Sequence, residues 1–398
     1  MEKIVAFTGN QALATAFRQI HPDVYAAYPI TPSTLVTEEF SEYVADGLVQ
    51  TEFVPCESEH SAMSACIGAA AAGGRAATTT SSQGLALMHE VLYIAAGYRL
   101  PIVMALVNRA LSGPLNIQAD HSDSMGSRDC GWIQLYSEGA QEAYDNLIQA
   151  VVIAEHEEVR LPVMVCLDGF IVSHSLERME ILDDQTVRKF LGEFQPIYPL
   201  LDVDHPVMYG PNDLADYYTE HKRQQAEAME RSRAVILSVA EQWEKVSGRP
   251  YGFFEPYRIS DADYITLAIG SATGTIKDTV DQLRQEGVKA GIIKVRAYRP
   301  FPTEEIAQAI KGAQAVAVLD RAASIGAGGG PLFTDVGSAL YGLERGPYCI
   351  NYIYGLGGRD VSVADIRQVY ERLEKIARTR EIGNRCEYLG VREEDVVI

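Results

Sequence analysis

Residues 76–108 read AATTTSSQGLALMHEVLYIAAGYRLPIVMALVN, and the fold class can be inferred from them. Residues 76–80 and 102–107 are short runs of the kind that form buried strands, and residues 85–97 between them have a helical pattern. Two parallel strands need a crossover connection of a dozen or more residues, which is usually a helix. The stretch therefore predicts a strand–helix–strand unit of a parallel α/β sheet.

The same alternation extends through the first half of the chain. Further strands are predicted at residues 24–28, 53–56 and 163–167, and a further helix at residues 59–73. Because these strands are apolar throughout, we expect helices to cover both faces of the sheet.

The alternation breaks after about residue 200. Residues 201–218, rich in Pro, Asp, Tyr and Gly, are predicted to be irregular. A long helix is predicted next from apolar residues at helical spacing, and it ends at Gly248. Residues 249–263 are predicted to be a linker.

A second alternating block follows the linker. Its strands are predicted at residues 265–269, 290–295, 315–319 and 349–354, and a closing helix at residues 368–378. The predicted organisation is a first α/β domain (residues 1–235), a helix end and linker (236–260), a second α/β domain (261–375) and a tail (376–398).

The composition restricts the classes of function. The 398 residues include 54 Asp and Glu against 34 Lys and Arg, a formal charge of -20. An acidic surface repels nucleic-acid phosphates and anionic membranes, and no apolar run approaches the roughly 18 residues of a membrane span. The six cysteines form no CxxC pair, which does not fit iron–sulfur or zinc spacings. We therefore expect a cytoplasmic protein with no nucleic-acid or membrane partner.

Polar side chains follow four of the predicted strands at the point where each strand ends. They are Thr31 and Thr34, Glu59, the run Ser81, Ser82 and Gln83, and Arg109. Because the carboxyl ends of parallel strands meet at one edge of a sheet, we expect a pocket there. Structural interpretations stay open for each: helix capping for the hydroxyls, dipole compensation for Glu59, and a surface ion pair for Arg109.

Other chemically suggestive residues favour structural interpretations. His60, His89 and His121 lack metal-ligand spacing. Residues 120–123, DHSD, contain the residue types of a hydrolase triad, but neighbours in sequence cannot adopt the triad geometry. The glycine-rich residues 325–330, IGAGGG, match neither phosphate-binding template, so a tight loop is favoured over a phosphate cradle.

Sequence motifs along nearly the whole chain match those of a known family. They are YPITPS (28–33), ESEHSA (57–62), SQGL (82–85), NRALSGPLNI (108–117), DHSD (120–123), RDCGW (128–132), RPFP (299–302) and GAGGGP (326–331). Together they resemble the alpha subunits of pyruvate:ferredoxin oxidoreductases, also called pyruvate synthases, in the 2-oxoacid:ferredoxin oxidoreductase family. The resemblance implies a thiamine-diphosphate pyrimidine-binding domain followed by a transketolase-C-terminal-like domain.

The resemblance also implies roles for individual residues. Glu59 matches a glutamate that hydrogen-bonds N1′ of the aminopyrimidine and so activates thiamine diphosphate. Arg109 and Thr31 match groups that bind the 2-oxoacid, and a guanidinium suits its carboxylate because it can donate two parallel hydrogen bonds. The other residues that the resemblance places at the cofactor are Tyr28, Pro29, Ser82 and Gln83.

The resemblance further implies partner subunits. The chain has no Gly-Asp-Gly motif for the Mg²⁺ that holds the diphosphate, and no cysteine motif for [4Fe-4S] clusters. We therefore expect a beta subunit with the diphosphate domain and a cluster, a gamma subunit, and a ferredoxin-like delta subunit. Thiamine diphosphate would be shared with a partner, and the whole would be a dimer of hetero-oligomers.

The expected reaction converts pyruvate, coenzyme A and oxidised ferredoxin reversibly to acetyl-CoA, carbon dioxide and reduced ferredoxin. Branched-chain 2-oxoacids, 2-oxoglutarate and oxalate remain alternative substrates. A second substrate carboxylate would need a second cation, and Arg128 is the nearby candidate. A non-catalytic transketolase-like scaffold is a further alternative, against which Glu59 argues. A bare nucleotide-binding module is a third, weakened by the missing phosphate motifs.

Overall fold

The computed structural model describes residues 3–392 and contains two parallel-dominated sheets flanked by helices. The first part of the chain forms β1 (Lys3–Phe7), α1 (Gly9–Ile20), β2 (Val24–Ala27), α2 (Thr34–Ala45), β3 (Glu52–Pro55), α3 (Glu59–Ala72), β4 (Ala76–Thr80), α4 (Gln83–Gly97), β5 (Val103–Asn108), α5 (Ser122–Gly126), β6 (Ile133–Ser137), α6 (Ala140–Glu155), β7 (Val163–Asp168), β8 (Glu177–Ile181), α7 (Asp184–Leu191) and α8 (Tyr218–Ser247). The second part forms β9 (Phe254–Tyr257), β10 (Tyr264–Ala268), α9 (Ala272–Gln285), β11 (Ala290–Val295), β12 (Ala297–Arg299), α10 (Thr303–Ile310), β13 (Ala315–Asp320), α11 (Pro331–Tyr341), β14 (Tyr348–Ile353), a short 3-10 helix (Leu356–Gly358), α12 (Val363–Thr379) and β15 (Cys386–Tyr388).

The larger sheet has seven strands in the order β12-β6-β7-β5-β4-β2-β3. Its pairings are parallel except at one edge, where β12 runs antiparallel to β6. Every residue of β5 and β7 is buried, as expected for central strands covered on both faces. The register pairs Asn108 with Asp168 at their carboxyl ends, so the loops after β5 and β7 start side by side.

The second sheet has six strands in the order β15-β14-β13-β10-β11-β9, and β9 is its antiparallel edge. A third, two-stranded sheet pairs β1 with β8. One apolar cluster includes Trp132 and Met164 from the first part together with Ile293 and Val318 from the second. The two larger sheets therefore share part of their core.

The prediction of an α/β fold built on two parallel sheets is confirmed, with antiparallel strands added at the edges. All nine predicted strands are present, and their bounds differ from the predicted ones by one residue at most at each end. Both helices predicted in the first domain and the closing helix are also present. Most of the strands were predictable because they are largely buried runs, and the closing helix because it has a clear apolar period; β3 is partly exposed and α3 is rich in alanine all round.

The prediction of a linker at residues 249–263 was wrong in part, because strand β9 lies within this range. The long helix begins at Tyr218, three turns before Met229, the first apolar residue that indicated it. Those first turns are polar and almost wholly exposed, so they carry no apolar period. No helix among residues 3–392, α8 included, is long and apolar enough to cross a membrane.

Five further strands were not predicted, besides β9: β1, β6, β8, β12 and β15. β6 has the buried polar residues Gln134 and Ser137, and β12 and β15 are only three residues long. β15 lies in the predicted tail, whose residues 393–398 are outside the described part of the chain, as are residues 1–2 of the first predicted domain. The domain boundaries themselves stay a prediction.

The glycine-rich loop packs against a buried carboxylate. The Oδ1 atom of Asp320 accepts from the backbone N–H of Leu332 at 2.7 Å and its Oδ2 from that of Phe333 at 3.1 Å, in the first turn of α11. A Cβ on Gly330 would lie 2.2 Å from the Asp320 carboxyl carbon. Because the protein's own carboxylate takes these N–H groups, the structure supports a tight loop rather than a phosphate cradle.

We expect Gly330→Ala to lower the free energy of unfolding by about 1–3 kcal/mol, because the added methyl group overlaps the Asp320 side chain. Gly330 is the N-cap residue of α11, and Gly337→Ala, within that helix and in open space, is the matched control. It should leave stability unchanged or raise it by up to about 1 kcal/mol, since alanine is the better helix former. Urea unfolding followed by circular dichroism measures both, and equal effects would contradict the steric explanation.

Candidate active site

The structure places the predicted site residues at or next to the carboxyl ends of β2, β3, β4 and β5. Thr31 lies in the β2–α2 loop, Glu59 is the first residue of α3, Ser82 precedes α4, and Arg109 directly follows β5. Thr34, for which capping was an alternative, is the first residue of α2, and Ser33 occupies the N-cap position.

Glu59 has a buried carboxylate that no other described residue hydrogen-bonds. Its side chain lies at the N-terminus of α3, where Ser58 caps the helix by accepting from the Ser61 N–H. The residue is 6% exposed. The carboxylate lies against Gly84, where an added Cβ would be 2.8 Å from its Oε1 atom and 2.3 Å from the Thr80 hydroxyl. Glu59 is therefore close to a helix start that has no room for a larger residue.

Ser82 lies at a sharp turn between β4 and α4. Its φ of 48° and ψ of -118° are in a region that non-glycine residues rarely adopt, and such conformations persist only where their surroundings hold them. The Ser82 hydroxyl is within hydrogen-bond distance of the Ala110 carbonyl and of Gln83 Oε1. Ser81 is also buried, and its hydroxyl has no partner among the described residues.

A second buried carboxylate, that of Asp123, ties these strand ends together. Its Oδ2 accepts from the backbone N–H groups of Ser82 and Arg109, both at 3.0 Å. Its Oδ1 accepts from the Asn108 side chain and the Ser124 N–H, both at 2.8 Å. Burial raises the pKa of Asp123 to about 6, although these donors favour the ionised form. Asp123 thus fixes the backbone on both sides of the predicted pocket.

Arg109 is held by carbonyl groups and keeps part of its guanidinium free. Its Nη1 donates to the Thr31 carbonyl at 2.9 Å and its Nε to the Asn116 carbonyl at 3.1 Å. Within the described part of the chain, Nη2 has no acceptor and the guanidinium no carboxylate partner. The side chain is 8% exposed, which excludes the alternative of a surface ion pair.

The β2–α2 loop faces the outside at Tyr28, Pro29 and Thr31, which are all exposed. The loop is fixed from beneath by Asn10, whose side-chain amide donates to the Pro32 carbonyl at 2.9 Å. The hydrogen bond from Arg109 to the Thr31 carbonyl brings these two predicted substrate residues together. The Thr31 hydroxyl shows no hydrogen bond among the described residues.

A third buried carboxylate joins the site to the second part of the chain. Asp168, at the end of β7, accepts from His121 Nε2 at 2.7 Å, from Arg321 Nη1 at 2.9 Å and from the Ser271 N–H at 2.9 Å. Burial opposes its ionisation, but Arg321 and His121 outweigh that effect and hold the pKa of Asp168 well below its usual range. Gly270 allows this approach, because a Cβ there would lie 2.9 Å from Asp168 Oδ2.

Sequence reasoning missed the roles of Asp120, His121, Asp123 and Asp168. In the sequence, residues 120–123 stood out as an apparent hydrolase triad and as a family motif, neither of which indicates what these side chains bind. The structure shows that His121 bonds to Asp168, while Asp123 bonds to backbone N–H groups. Among residues 3–392, no group of three or more His, Cys, Asp or Glu side chains could hold a metal ion.

The residues present fit the aminopyrimidine part of thiamine diphosphate. Glu59 offers a buried carboxylate with no competing donor among residues 3–392, and Gly84 keeps the adjacent helix start small. An uncommitted carboxylate of this kind can hold a proton on a ring nitrogen. The unpartnered Ser81 hydroxyl is a further buried polar group at the same strand end.

We expect Asp123→Asn to destabilise the protein near pH 7, since an NH₂ group replaces one acceptor oxygen and leaving a buried N–H unpaired costs about 1–3 kcal/mol. The penalty should grow as the pH falls to about 4.5. Between the ordinary pKa of about 4 and the raised value of about 6, native wild-type protein holds a proton that the unfolded chain has released. Wild type therefore gains stability on acidification and the variant does not. An equal difference in unfolding free energy at both pH values would contradict this.

Two family models match the chain. Residues 15–241 match the thiamine-diphosphate-binding domain of pyruvate flavodoxin/ferredoxin oxidoreductases, and residues 262–366 match core domain II of pyruvate:ferredoxin oxidoreductase. The first match covers more than half of the chain and includes Thr31, Glu59 and Arg109.

Curated relatives match over nearly their full length. Pyruvate synthase subunit PorA of Thermotoga maritima is 56% identical over 396 residues, covering 99% of this chain and 100% of that one. PorA of Methanocaldococcus jannaschii is 48% identical, covering 94% and 96%. Ketoisovalerate oxidoreductase subunit VorA of Pyrococcus horikoshii is 43% identical, covering 98% of each.

A solved structure shares the fold. It is a 2-oxoglutarate:ferredoxin oxidoreductase from Magnetococcus marinus, with a TM-score of 0.70 and 19% identity, covering 93% of this chain and 65% of that one. Because its identity is so low, this likeness is informative about the fold only. On the family models and the full-length relatives, the chain belongs to the pyruvate:ferredoxin oxidoreductase family.

Proposed function

We propose that this chain is the alpha subunit of a pyruvate:ferredoxin oxidoreductase, which converts pyruvate, coenzyme A and oxidised ferredoxin reversibly to acetyl-CoA, carbon dioxide and reduced ferredoxin. The observation that carries the proposal is the buried, uncommitted carboxylate of Glu59 at the same sheet edge as a partly uncommitted Arg109. The names of the full-length relatives support pyruvate as the substrate.

In this proposal Glu59 holds a proton at N1′ of the aminopyrimidine. Its first-turn position on α3 and the small Gly84 beside it leave the buried carboxylate without a hydrogen-bond donor among the described residues. Thiamine diphosphate, when bound, supplies an electron sink for the carbon that loses carbon dioxide. The assignment of Tyr28, Pro29, Ser82 and Gln83 to the lining of the cofactor site rests on the family resemblance.

Arg109 would bind the carboxylate of the 2-oxoacid, with Thr31 supplying a hydroxyl donor. The two carbonyl groups that hold Nε and Nη1 leave Nη2 and the second Nη1 proton for two parallel hydrogen bonds. This arrangement is preorganised, because the guanidinium is already fixed before a substrate arrives.

A monocarboxylate substrate fits the charges better than 2-oxoglutarate or oxalate. Arg128 donates to the Met125 carbonyl and lies 3.8 Å from Asp129, and Arg321 is paired with Asp168. Both cations are therefore already engaged, while a second buried carboxylate would need a free one. Branched-chain 2-oxoacids stay the alternative, since a relative at 43% identity is named for ketoisovalerate.

We further propose that partner subunits complete the enzyme. The beta subunit would contribute the diphosphate domain with Mg²⁺ and a [4Fe-4S] cluster, and gamma and delta subunits would complete a cytoplasmic dimer of hetero-oligomers. Support comes from the missing Gly-Asp-Gly and cluster motifs and from the relatives' names as subunits. Ferredoxin and coenzyme A would bind to the assembled complex.

Glu59→Gln should leave the complex assembled and lower pyruvate oxidation by about 10²–10⁴-fold, because an amide cannot hold the proton in the same way. Glu57→Gln is the matched control, since Glu57 is exposed two residues earlier and bonds only to Ser61 among the described residues. Turnover with pyruvate, coenzyme A and ferredoxin in the purified complex measures both. Near wild-type turnover in Glu59→Gln would reduce Glu59 to a helix-dipole residue.

Arg109→Lys should raise KM for pyruvate by about 10- to 150-fold, because a point donor replaces a planar fork that bonds to a charged group. Hydrogen–deuterium exchange at the thiazolium C2 should continue, since Glu59 acts on the cofactor and not on the substrate. Comparing pyruvate with 2-oxoisovalerate in the wild-type complex tests the substrate assignment. Unchanged KM with lost C2 exchange would place Arg109 on the cofactor side of the site.

A further inference from the structure

The guanidinium of Arg109 is oriented by a loop that has few anchors of its own. Residues 111–118 are exposed except for Asn116, which is half-buried. The Asn116 carbonyl accepts from Arg109 Nε, so Asn116 and the Thr31 carbonyl, which accepts from Nη1, together set the rotation of the planar guanidinium. Any displacement of Asn116 would turn the donors of Arg109 away from their present direction.

Asn116 is in turn fixed by its own side chain. Its Oδ1 accepts from the Gln118 N–H at 2.7 Å, and its Nδ2 donates to the Gly357 carbonyl at 3.0 Å. The second bond reaches the short 3-10 helix Leu356–Gly358, in the other part of the chain. Asn116 therefore connects Arg109 to the turn that follows β14.

The turn at Leu356–Gly358 lies in close contact with the loop of residues 111–118. The Gly357 N–H donates to Asp120 Oδ2 at 3.0 Å, so both backbone groups of Gly357 are bonded to the Arg109 side of the molecule. Gly357 has a φ of 60°, and a Cβ on it would lie 2.4 Å from Asn116 Nδ2. A Cβ on Gly358 would lie 2.4 Å from that of Gln118. Glycine is required at both positions for this contact.

We propose that Asn116 is a positioning residue for 2-oxoacid binding. It fixes the orientation of the Arg109 guanidinium through its carbonyl group, and its side chain is bonded to the Gly357 turn. This inference rests on the proposed substrate role of Arg109. It gives the second part of the chain a direct influence on substrate affinity, through a single side-chain amide and without contact to the substrate.

The test measures KM and kcat for pyruvate in the purified complex. Asn116→Ala should raise KM roughly 5- to 150-fold, the effect of two lost neutral hydrogen bonds, and change kcat less than about twofold. Asn116→Asp should also raise KM, because it keeps the acceptor for Gln118 and loses the donor to Gly357. Leu115→Ala, in the same loop and 76% exposed, is the control that should match wild type.

Gly357→Ala approaches the same contact from the other side and should raise KM as well. Because the clash needs the Asn116 amide, the double variant should show less than the product of the two single effects. A KM that rises in Arg109→Lys and stays unchanged in Asn116→Ala would overturn this proposal and leave the substrate role of Arg109 intact. Unchanged KM in Arg109→Lys would overturn both. A fall in kcat with unchanged KM in Asn116→Ala would indicate a merely structural role and also overturn it.

Discussion

The relative placement of the two larger sheets depends on the hydrogen bonds and ion pair that the ionised carboxylate of Asp168 forms with residues of the second sheet. Asp168 lies at the end of β7 and receives donors from Ser271, after β10, and from Arg321, after β13, so three strand ends from two sheets converge on one group. Removing one partner of a buried pair leaves the other charge unpaired, which typically costs about 3–5 kcal/mol. His121 donates to Asp168 through its side chain and to the Arg321 carbonyl through its backbone N–H. These two bonds connect Asp168 to the end of the loop that follows Arg109.

The site itself is organised by carboxylates that bind backbone. Asp123 holds the N–H groups of Ser82 and Arg109, and Asp120 holds that of Gly357. Because Asp120 and Asp123 bind these main-chain N–H groups, Glu59 does not have to. Its carboxylate oxygens stay available as acceptors, and part of the Arg109 guanidinium stays available as a donor. A site of this kind is rigid where it must orient a ligand and uncommitted where it must bind one. It also explains why so many buried acids lie near one sheet edge in an acidic chain.

Much of the fold could be predicted from the sequence, because central parallel strands are continuous buried runs and the closing helix α12 has an apolar period. The strand-end rule then identified Glu59 and Arg109 as site candidates, and the structure places both at that edge. Asp123 follows no predicted strand, and it binds mainly backbone N–H groups, which leave no sequence signal. Asp168 does follow a predicted strand, but its role depends on Ser271 and Arg321, which are distant in sequence. The start of α8 could not be predicted because its first turns are exposed and polar, so they show no apolar period.

The three residues of β12 have a consequence for how the molecule is made. They come from the second part of the chain and close the edge of the first sheet, with Ala297 opposite Leu135. During synthesis β6 therefore emerges long before the strand that will cover it. Until then its edge presents unpaired backbone groups, which are a template for wrong pairing with other chains. A fragment that stops before residue 297 would keep that edge open permanently, so cutting the chain between its two sheets should yield a first half prone to aggregation.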